Sequence, residues 1–315
     1  MTADAALAIE TRGLTKRFGA RPAVDSINLL VPAGSVFGFL GPNGSGKTTT
    51  IRMLLGLASA TSGNMRVLGM DLPGQLSTVL PHIGALVEGP AFYPFLSGEA
   101  NLRRLDSADR YAPGSTRAWR VERALERVGL THAAGKKVHA YSLGMKQRLG
   151  IAGALLSQRE LLVLDEPTNG LDPQGTREVR NLVASFADEG TTVFVSSHLL
   201  SEIEQMCTHA AVMRAGKLVA QGTLDELRGV GAAVARLHTP DATRAREILV
   251  ARGLALKQAT TPDAVTLTLP AGTAPEDIVA SLVRGGVRVR EFTMHTATLE
   301  DRFVELTGEG FDVAD

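Results

Sequence analysis

A glycine-rich segment that ends in lysine and threonine is the first feature of this chain able to support chemistry. The pattern G-x-x-x-x-G-K-[ST] is matched by Gly41-Pro42-Asn43-Gly44-Ser45-Gly46-Lys47-Thr48, which Thr49 follows. Glycines let successive backbone N–H groups point at one ligand, and a following helix adds unpaired donors and partial positive charge. In such a loop Lys47 reaches the β- and γ-phosphates, and the Thr48 hydroxyl binds Mg²⁺. The segment therefore predicts a nucleotide site.

Two acidic residues directly after an apolar run form a second candidate group. The run Leu161–Leu164 is typical of a buried strand, and Asp165 and Glu166 follow it. One carboxylate at a strand end can bind Mg²⁺, which we assign to Asp165, and the other can orient the attacking water, which we assign to Glu166. The alternative is an acidic strand end that faces solvent; Pro167 and the unbroken apolar run argue against it. The pair favours hydrolysis over nucleotide sensing.

The elements around these motifs alternate between strand and helix. Strands are predicted over residues 6–12, 22–31, 36–40, 161–164 and 192–196. Helices are predicted after the glycine-rich segment and over 99–130, 144–157 and 174–189, whereas 81–98 is predicted to be a loop interrupted by proline and glycine. This alternation predicts an α/β core with a parallel sheet covered on both faces.

The order of the motifs resembles that of ATP-binding subunits of ABC transporters, over about residues 8–228. Within this span, Tyr141–Gln147 resembles the family signature LSGGQ, although Leu143 and Met145 stand where the first glycine and the glutamine normally are. Ser142 and Gly144 remain, and a hydroxyl beside bare backbone at a helix N-terminus can bind an anion. Taken alone, the segment could equally be an ordinary helix start.

The resemblance implies a P-loop ATPase core and a head-to-tail dimer that encloses two ATP molecules. Each ATP would lie between the glycine-rich loop of one subunit and Ser142 and Gly144 of the other. The segment Asn169–Asp172 matches the loop that crosses the dimer interface, which places Asp172 at the nucleotide, and His198 matches the histidine that contacts the γ-phosphate. Phe18 lies where the family stacks an aromatic ring on adenine; the alternative is a turn residue packed in the core.

One loop departs from the family pattern. The segment that normally presents glutamine to Mg²⁺ and water reads Leu86-Val87-Glu88-Gly89-Pro90, so a carboxylate takes the place of an amide. Glu88 can still bind Mg²⁺, but it adds negative charge near the phosphates. We therefore expect hydrolysis to continue, with Glu88 contributing and with an altered metal dependence. A glutamate here resembles the subgroup that serves bacterial exporters of drugs and of bacitracin- and lantibiotic-type peptide antibiotics.

The loop after Glu88 is rich in aromatic residues in a chain whose aromatic content is only 4%. These residues lie at the edge of a helical subdomain, about 92–157, and comprise Phe92, Tyr93 and Phe95 among Pro90 and Pro94. In the family this edge contacts a cytoplasmic helix of the membrane-spanning permease subunit. We therefore predict a groove for that partner, and local packing of an ordered loop is the alternative.

A change in composition near Gly229 separates the ATPase domain, 1–228, from a C-terminal α+β domain, 229–315. The predicted order is βαββαβ, with strands over 232–238, 254–259, 264–269 and 287–294 and helices over 241–252 and 274–284. This order indicates a ferredoxin-like sandwich. A last helix is predicted from Thr298. The domain has no carboxylate pair or phosphate loop, so regulatory, dimer-stabilising and spacer roles all stay open.

Composition limits the remaining classes. The 33 Lys and Arg balance 33 Asp and Glu, so no chain-wide basic footprint for nucleic acid exists. The single Cys207 excludes an internal disulfide framework, and the N-terminus lacks a signal-peptide pattern. No apolar run is long and uninterrupted enough to span a membrane. We expect a cytoplasmic protein that is peripheral on the inner face of the plasma membrane.

The predicted function is an ATPase, with ATP and Mg²⁺, that powers a membrane exporter of a drug or antibiotic-like substrate. Its expected partners are the permease and a second ATPase subunit, most simply another copy of this chain. A soluble ABC-type ATPase acting on ribosomes or DNA is the first alternative; it usually carries tandem cassettes or long coiled-coil insertions, which are absent here. A nucleotide-binding regulator without turnover is the second alternative.

Overall fold

The computed structural model describes residues 6–89, 91–228, 232–257, 263–270 and 273–296. The chain divides into two compact units, the first ending at Thr223 and the second beginning at Leu224. The strands of the first unit are β1 (Leu7–Phe18), β2 (Arg21–Ile27), β3 (Leu30–Pro32), β4 (Val36–Leu40), β5 (Ser62–Val67), β6 (Met70–Leu72), β7 (Ile83–Leu86), β8 (Leu161–Asp165), β9 (Thr192–Ser197), β10 (His209–Arg214) and β11 (Lys217–Thr223). Its helices are α1 (Lys47–Leu54), α2 (Leu76–Val79), α3 (Gly98–Ala108), α4 (Arg117–Arg127), α5 (Leu143–Ala154), α6 (Pro173–Asp188) and α7 (Leu200–Met206).

A six-stranded sheet forms the centre of the first unit, in the order β11-β10-β4-β9-β8-β7. All neighbours are parallel except β11, which is antiparallel at one edge. Every residue of β4, β8 and β9 is buried, as expected for apolar strands in the middle of a parallel sheet. Helices α1, α6 and α7 pack against these strands, and α5 packs against the edge strand β7. The predicted α/β core is confirmed, and its parallel strands end at one edge of the sheet.

A second, antiparallel sheet has the order β2-β1-β5-β6, with β3 also paired to β1. The first predicted strand extends to Phe18, and the predicted strand over 22–31 is divided in two. The Thr11 hydroxyl explains the break, because it donates to the Ile27 carbonyl (3.0 Å) and accepts from the Leu29 N–H (2.8 Å). At the break between β2 and β3, the Thr11 side chain thus takes the place of backbone hydrogen bonds to β1.

The prediction of a loop over 81–98 is wrong for its first part, because Ile83–Leu86 forms β7 and pairs in parallel with β8. Gly84 weakens the strand pattern in the sequence. The same glycine is required by packing, since a Cβ there would lie 2.5 Å from the Ala154 carbonyl oxygen at the end of α5. A close helix–strand approach therefore explains both the strand and its weak signal.

The predicted helical stretch over 99–130 consists of α3 and α4, separated near Pro113 and Gly114. The two helices are joined by the fully buried carboxylate of Asp106, which accepts from Arg120 Nε (2.7 Å) and Arg117 Nε (2.9 Å). Helix α5 follows, and it ends at Ala154 rather than at the predicted residue 157. These three helices provide the scaffold on which the Tyr141–Gln147 segment is displayed.

The second unit contains helices α8 (Leu224–Arg228), α9 (Ala242–Ala251) and α10 (Pro275–Arg284) and strands β12 (Ala232–His238), β13 (Ala255–Lys257), β14 (Ala264–Pro270) and β15 (Glu291–Thr296). The four strands form an antiparallel sheet in the order β13-β14-β12-β15, which is the ferredoxin-like arrangement. Strand β15 begins four residues later than predicted. The predicted helix from Thr298 lies outside the described residues.

Candidate nucleotide site

The loop between β4 and α1 packs closely against neighbouring segments on one side and is open on the other. A Cβ on Gly41 would lie 2.5 Å from the Met213 carbonyl oxygen, and a Cβ on Gly46 would lie 2.5 Å from that of Ala23. Gly46 also has a φ of 108°, a conformation that only glycine adopts readily. Around Gly44, by contrast, nothing lies within 4 Å of such a Cβ. The open face leaves room for a ligand against the backbone.

Lys47 is folded back onto this loop. Its side chain is only 5% exposed, and Nζ donates to the carbonyl oxygens of Gly41 (2.6 Å) and Pro42 (3.3 Å). Nearby, the Ser45 hydroxyl is buried without a hydrogen-bond partner in the described part of the chain. A buried hydroxyl of this kind is costly unless something satisfies it. Phosphate oxygens would satisfy Ser45 and compete with the two carbonyls for Lys47.

The ends of β8 and β9 bring the predicted acidic pair and the predicted histidine together. Ser196 of β9 donates to Asp165 Oδ1 (2.5 Å) and accepts from the Glu166 N–H (2.9 Å). Glu166 Oε2 lies 2.7 Å from His198 Nδ1, and its Oε1 lies 3.3 Å from Lys47 Nζ. We call Lys47, Asp165, Glu166 and His198 the strand-end cluster.

Glu166 is the residue of the strand-end cluster that contacts both Lys47 and His198. Glu166 is shared between an ammonium and an imidazole, and its side chain is 20% exposed, so a water molecule can still reach it. Glu166 also has a φ of 49°, a left-handed conformation that the surrounding structure must enforce. A phosphate chain bound by Lys47 and His198 would release the carboxylate to act on water. The arrangement can therefore perform base-assisted hydrolysis.

The donor set fits a magnesium ion bound together with phosphates. The described residues contain no group of three or more His, Cys, Asp or Glu side chains that could hold a metal by themselves. Mg²⁺ is ordinarily bound through one or two carboxylates plus substrate phosphates, so such a group is not required. Asp165 at the end of β8 and Thr48 in the first turn of α1 are the oxygen donors that the chain offers.

Glu88 lies in a different environment from the strand-end cluster. Its side chain is 56% exposed, its φ is 60°, and its carboxylate is paired with the guanidinium of Arg52 on α1. The extra negative charge introduced at this position is therefore compensated within the chain. The pairing of Arg52 with Glu88 was not predicted from the sequence. The position of an arginine one helical turn beyond the phosphate loop was the feature that could have indicated it.

The segment Tyr141–Gln147 begins α5 and is accessible at its tip. Ser142 is the N-cap of the helix, its hydroxyl accepting from the Met145 N–H at 3.2 Å, and both Ser142 and Leu143 are exposed. Behind them, the buried Tyr141 donates its hydroxyl to the Ala133 carbonyl (2.7 Å), and burial raises the pKa of this phenol. An N-cap beside Gly144 leaves helix N–H groups open for an anion from outside the chain.

Two other predicted residues have clear positions. Asp172 is the N-cap of α6, with Oδ1 accepting from the Gly175 N–H at 2.8 Å, and its side chain is exposed. Phe18 is 60% exposed at the end of β1, with Lys16 Nζ 5.0 Å from the centre of its ring. The alternative that Phe18 is packed in the core is therefore wrong, and its ring is available to a ligand.

The aromatic loop beside the helical subdomain borders a groove of about 370 Å³. Its lining includes Val87, Phe92, Leu105 and Arg159, and the neighbouring Tyr93 and Phe95 are 58% and 77% exposed. Exposed aromatic rings next to an apolar groove are typical of a protein contact. Each ring also has a contact within the chain, since the Arg104 guanidinium lies 4.5 Å from the centre of the Tyr93 ring and the Phe95 and His139 rings lie 6.2 Å apart, so local packing of the loop stays the alternative. Pro90 lies outside the described residues.

Comparisons with known proteins show which family the chain resembles. Residues 24–169 match the family model described as ABC transporter. The bacitracin transport ATP-binding protein BcrA of Bacillus licheniformis is 40% identical over 303 residues, covering 96% of this chain and 98% of BcrA. The daunorubicin/doxorubicin resistance ATP-binding protein DrrA of Streptomyces peucetius is 36% identical over 310 residues, covering 97% of this chain and 94% of DrrA.

The chain belongs to the ABC transporter family. It is an ATP-binding subunit of that family and an ATPase. Among solved structures, cbiO1 of Clostridium perfringens, part of the ABC transporter complex cbiONQ, matches with a TM-score of 0.65 and 25% identity, covering 78% of this chain and 95% of cbiO1. None of the helices in the described part of the chain has the length and hydropathy of a membrane span.

Proposed function

We propose that this ATPase powers the export of a peptide antibiotic or drug-like molecule through a membrane-spanning permease. The named transport and resistance functions of BcrA and DrrA, both aligned over nearly the whole chain, support this substrate class. The protein acts at the inner face of the plasma membrane as a head-to-tail dimer of two copies. The groove beside Phe92 and the exposed Tyr93 and Phe95 receive a cytoplasmic segment of the permease.

The observation that carries the hydrolytic mechanism is the position of Glu166 between Lys47 and His198. When ATP binds, Lys47 Nζ exchanges the Gly41 and Pro42 carbonyls for phosphate oxygens, and His198 turns to the γ-phosphate. The Glu166 carboxylate is then free to orient a water molecule and to accept its proton as the water oxygen attacks the γ-phosphorus. The bond to the β–γ bridging oxygen breaks, and ADP and phosphate leave.

Asp165 and Thr48 are the proposed metal donors, with Glu88 as an additional donor once it separates from Arg52. A bound Mg²⁺ neutralises charge on the β- and γ-phosphates. On the nucleotide, Phe18 stacks on the adenine, and the backbone from Gly41 through Thr49 surrounds the phosphates. Ser142, Gly144 and Asp172 of the second copy complete the enclosure. ATP binding closes the dimer, and hydrolysis opens it again.

The substitution Glu166→Gln tests this mechanism because it removes the base and keeps the size of the side chain. We expect ATP hydrolysis by the full chain to fall by at least about a hundredfold, within the range attributed to a general base. ATP binding should persist, and ATP should now produce a stable dimer in size-exclusion chromatography. Glu122→Gln, at an exposed position on α4, is the matched control and should behave as wild type. Hydrolysis at the wild-type rate in Glu166→Gln would show that the mechanism is wrong.

The exporter proposal has its own test, which is independent of the catalytic residues. The chain is tagged in its native cell, membranes are solubilised gently, and co-purifying proteins are identified by mass spectrometry. A polytopic membrane protein at near-equal stoichiometry is the expected result. Recovery with ribosomes or DNA-bound proteins alone would favour the soluble ATPase alternative and leave the nucleotide site unaffected.

A further inference from the structure

A buried carboxylate outside the strand-end cluster connects two of the chain segments that carry the residues of this cluster. Glu202, in the first turn of α7, is 7% exposed. Its Oε2 accepts hydrogen bonds from the Thr168 hydroxyl and from the Ser197 hydroxyl, both at 2.7 Å. A buried carboxylate is stable only when donors of this kind satisfy it. Glu202 lies outside the sequence motifs described above.

The two donors stand next to the proposed catalytic groups. Thr168 is two residues past Glu166, in a turn in which the Asn169 N–H donates to the Glu166 carbonyl at 3.1 Å. Ser197 ends β9 and directly precedes His198. Glu202 therefore links the segment that presents the base to the segment that presents the histidine, although 34 residues separate it from Thr168.

Two consecutive serines make complementary connections between the same segments. Ser196 contacts the end of β8 directly, through Asp165 Oδ1 and the Glu166 N–H. Ser197 points to the opposite face of β9, as successive strand residues do, and its hydroxyl reaches the segment after β8 through Glu202. The distance between Glu166 and His198 is thus fixed from both faces of the sheet.

We propose that Glu202 is a positioning residue for ATP hydrolysis, an inference that rests on the proposed roles of Glu166 and His198. Its carboxylate keeps the turn after β8 against the end of β9, so that Glu166 holds its left-handed backbone conformation and its 2.7 Å contact with His198. Removal of the carboxylate deprives the buried Thr168 hydroxyl of its acceptor and leaves the Ser197 hydroxyl with the more distant Leu199 carbonyl oxygen, at 3.5 Å. The turn then relaxes, and the base and the histidine lose their alignment, while the phosphate loop is unchanged.

Steady-state ATP hydrolysis by the full chain tests the proposal with two variants of Glu202. For Glu202→Ala we expect kcat to fall about tenfold or more, because small displacements of a catalytic group are costly. The KM for ATP should stay within about twofold, because the phosphate loop is intact. Glu202→Gln should recover kcat to within about threefold of wild type, since its amide oxygen can accept both hydroxyls. Glu122→Ala, at an exposed site, is the control.

Substitutions of the two residues that donate hydrogen bonds to Glu202 test the same contacts and keep Glu202 in place. Thr168→Val removes the hydrogen bond to Glu202 and should lower kcat by about threefold to tenfold with little change in KM. Ser197→Ala also removes the acceptor of the Leu199 N–H (3.0 Å), so its effect on kcat should be at least as large. Adding Thr168→Val to Glu202→Ala should cause no further loss, because Thr168 and Glu202 act through one contact. If Glu202→Ala does not fold, these single variants and Glu202→Gln decide the question.

Three results would overturn the proposal: a kcat for Glu202→Ala within twofold of wild type, a KM that rises as far as kcat falls, or a Gln variant as slow as the Ala variant. Glu166→Gln is measured in the same assay. Full activity in Glu166→Gln would refute the hydrolytic mechanism itself, whereas an inactive Glu166→Gln beside an active Glu202→Ala would refute only the positioning role.

Discussion

The strand-end cluster and the Tyr141–Gln147 segment are two candidate phosphate-binding regions of one chain, and they are built in opposite ways. In the cluster, Lys47, Glu166 and His198 satisfy one another at 2.7–3.3 Å and are mostly buried. At the other region, Ser142 is exposed and caps only its own helix. Lys47, Glu166 and His198 thus contact one another without a ligand, whereas the N-terminus of α5 presents open backbone donors.

This difference indicates the order of events in the proposed cycle. A nucleotide that enters the cluster must first displace the contacts of Lys47 and His198 with Glu166, so ATP binding and release of the base are coupled. The helix start has no such internal contacts to break, and it is ready to receive the phosphates of a second chain. In the proposed cycle, ATP thus switches one half of the site, and dimerisation supplies the other half.

The largest expected effect is on the cluster. His198→Ala removes the proposed γ-phosphate contact and one of the two partners of Glu166. We expect kcat to fall by about a hundredfold to a thousandfold, in the range of catalytic proton-transfer and positioning groups. ATP affinity, measured by equilibrium binding, should change little because Lys47 remains. His132→Ala, outside the cluster, serves as control, and wild-type turnover in His198→Ala would remove the histidine from the mechanism.

A smaller effect, on stability, is expected in α3 and α4, which pack against the helix α5 that begins after Ser142. Asp106→Asn breaks a buried pair with Arg120 and should lower the free energy of unfolding by about 3 kcal/mol, measured by urea denaturation. Asp188→Asn, at an exposed site, is the control. Nucleotide binding per folded molecule should be preserved, because the cluster lies on other elements. Loss of ATP binding in the folded variant would show that the two regions are not independent.

The Asp106 carboxylate should also make the stability of the protein depend on pH. Burial by itself raises the pKa of Asp106, but the hydrogen bonds and charges of Arg120 and Arg117 outweigh it, so the net pKa lies below the ordinary value of an aspartate. A lowered folded-state pKa stabilises the protein above the unfolded-state pKa, and this contribution is lost as pH falls through the folded-state value. Wild type should therefore lose stability below about pH 4, and Asp106→Asn should lack that component. Equal acid sensitivity in both proteins would contradict this.

At the helix start itself, Ser142→Ala removes the N-cap hydroxyl and the proposed contact with the phosphates of the partner copy. The helix cap is worth about 1 kcal/mol. We expect ATP hydrolysis to fall by about tenfold, with ATP binding to the single chain unchanged. Ser201→Ala, exposed on α7, is the control. A variant that binds ATP more weakly as a monomer would place Ser142 at the wrong half of the site.

The smallest effect is expected at Glu88. Glu88→Gln restores the amide typical of the family and breaks the charge pair with Arg52. Because exposed pairs contribute little, we expect only about a twofold to threefold change in the Mg²⁺ concentration that gives half-maximal hydrolysis. Arg52→Gln should shift it in the opposite direction if the guanidinium offsets the charge of Glu88. An unchanged Mg²⁺ dependence and rate in Glu88→Gln would remove this residue from the metal site.

Residues at the ends of apolar runs could be predicted from the sequence, and contacts between distant segments could not. Asp165 and Glu166 were located because they directly follow an apolar run, and His198 was located through the family resemblance. Ser196 and Glu202 were missed, since their partners lie 31 and 34 residues away and neither interrupts a periodic pattern. Strand β7 was missed because Gly84, which its packing requires, resembles a loop residue.

The second unit was predictable for a different reason. Its strands and helices are short, regular and separated by glycines such as Gly253 and Gly285, so the βαββαβ order is visible in the residue pattern. The ferredoxin-like pairing order in the structure agrees with it. The described residues of this unit contain no group of three or more His, Cys, Asp or Glu side chains that could hold a metal, and the sequence likewise indicated a fold for this unit and left its role open.

Mixing two inactive variants tests most directly the claim that each site is shared between two chains. Lys47→Ala disables the cluster, and Gly144→Asp places a negative charge at the helix start, where the structure accommodates a Cβ with its nearest neighbour at 3.8 Å. A mixed dimer contains one fully intact site, so an equal mixture should recover up to about a quarter of the wild-type ATP hydrolysis rate. A mixture no more active than either variant alone would contradict the shared site.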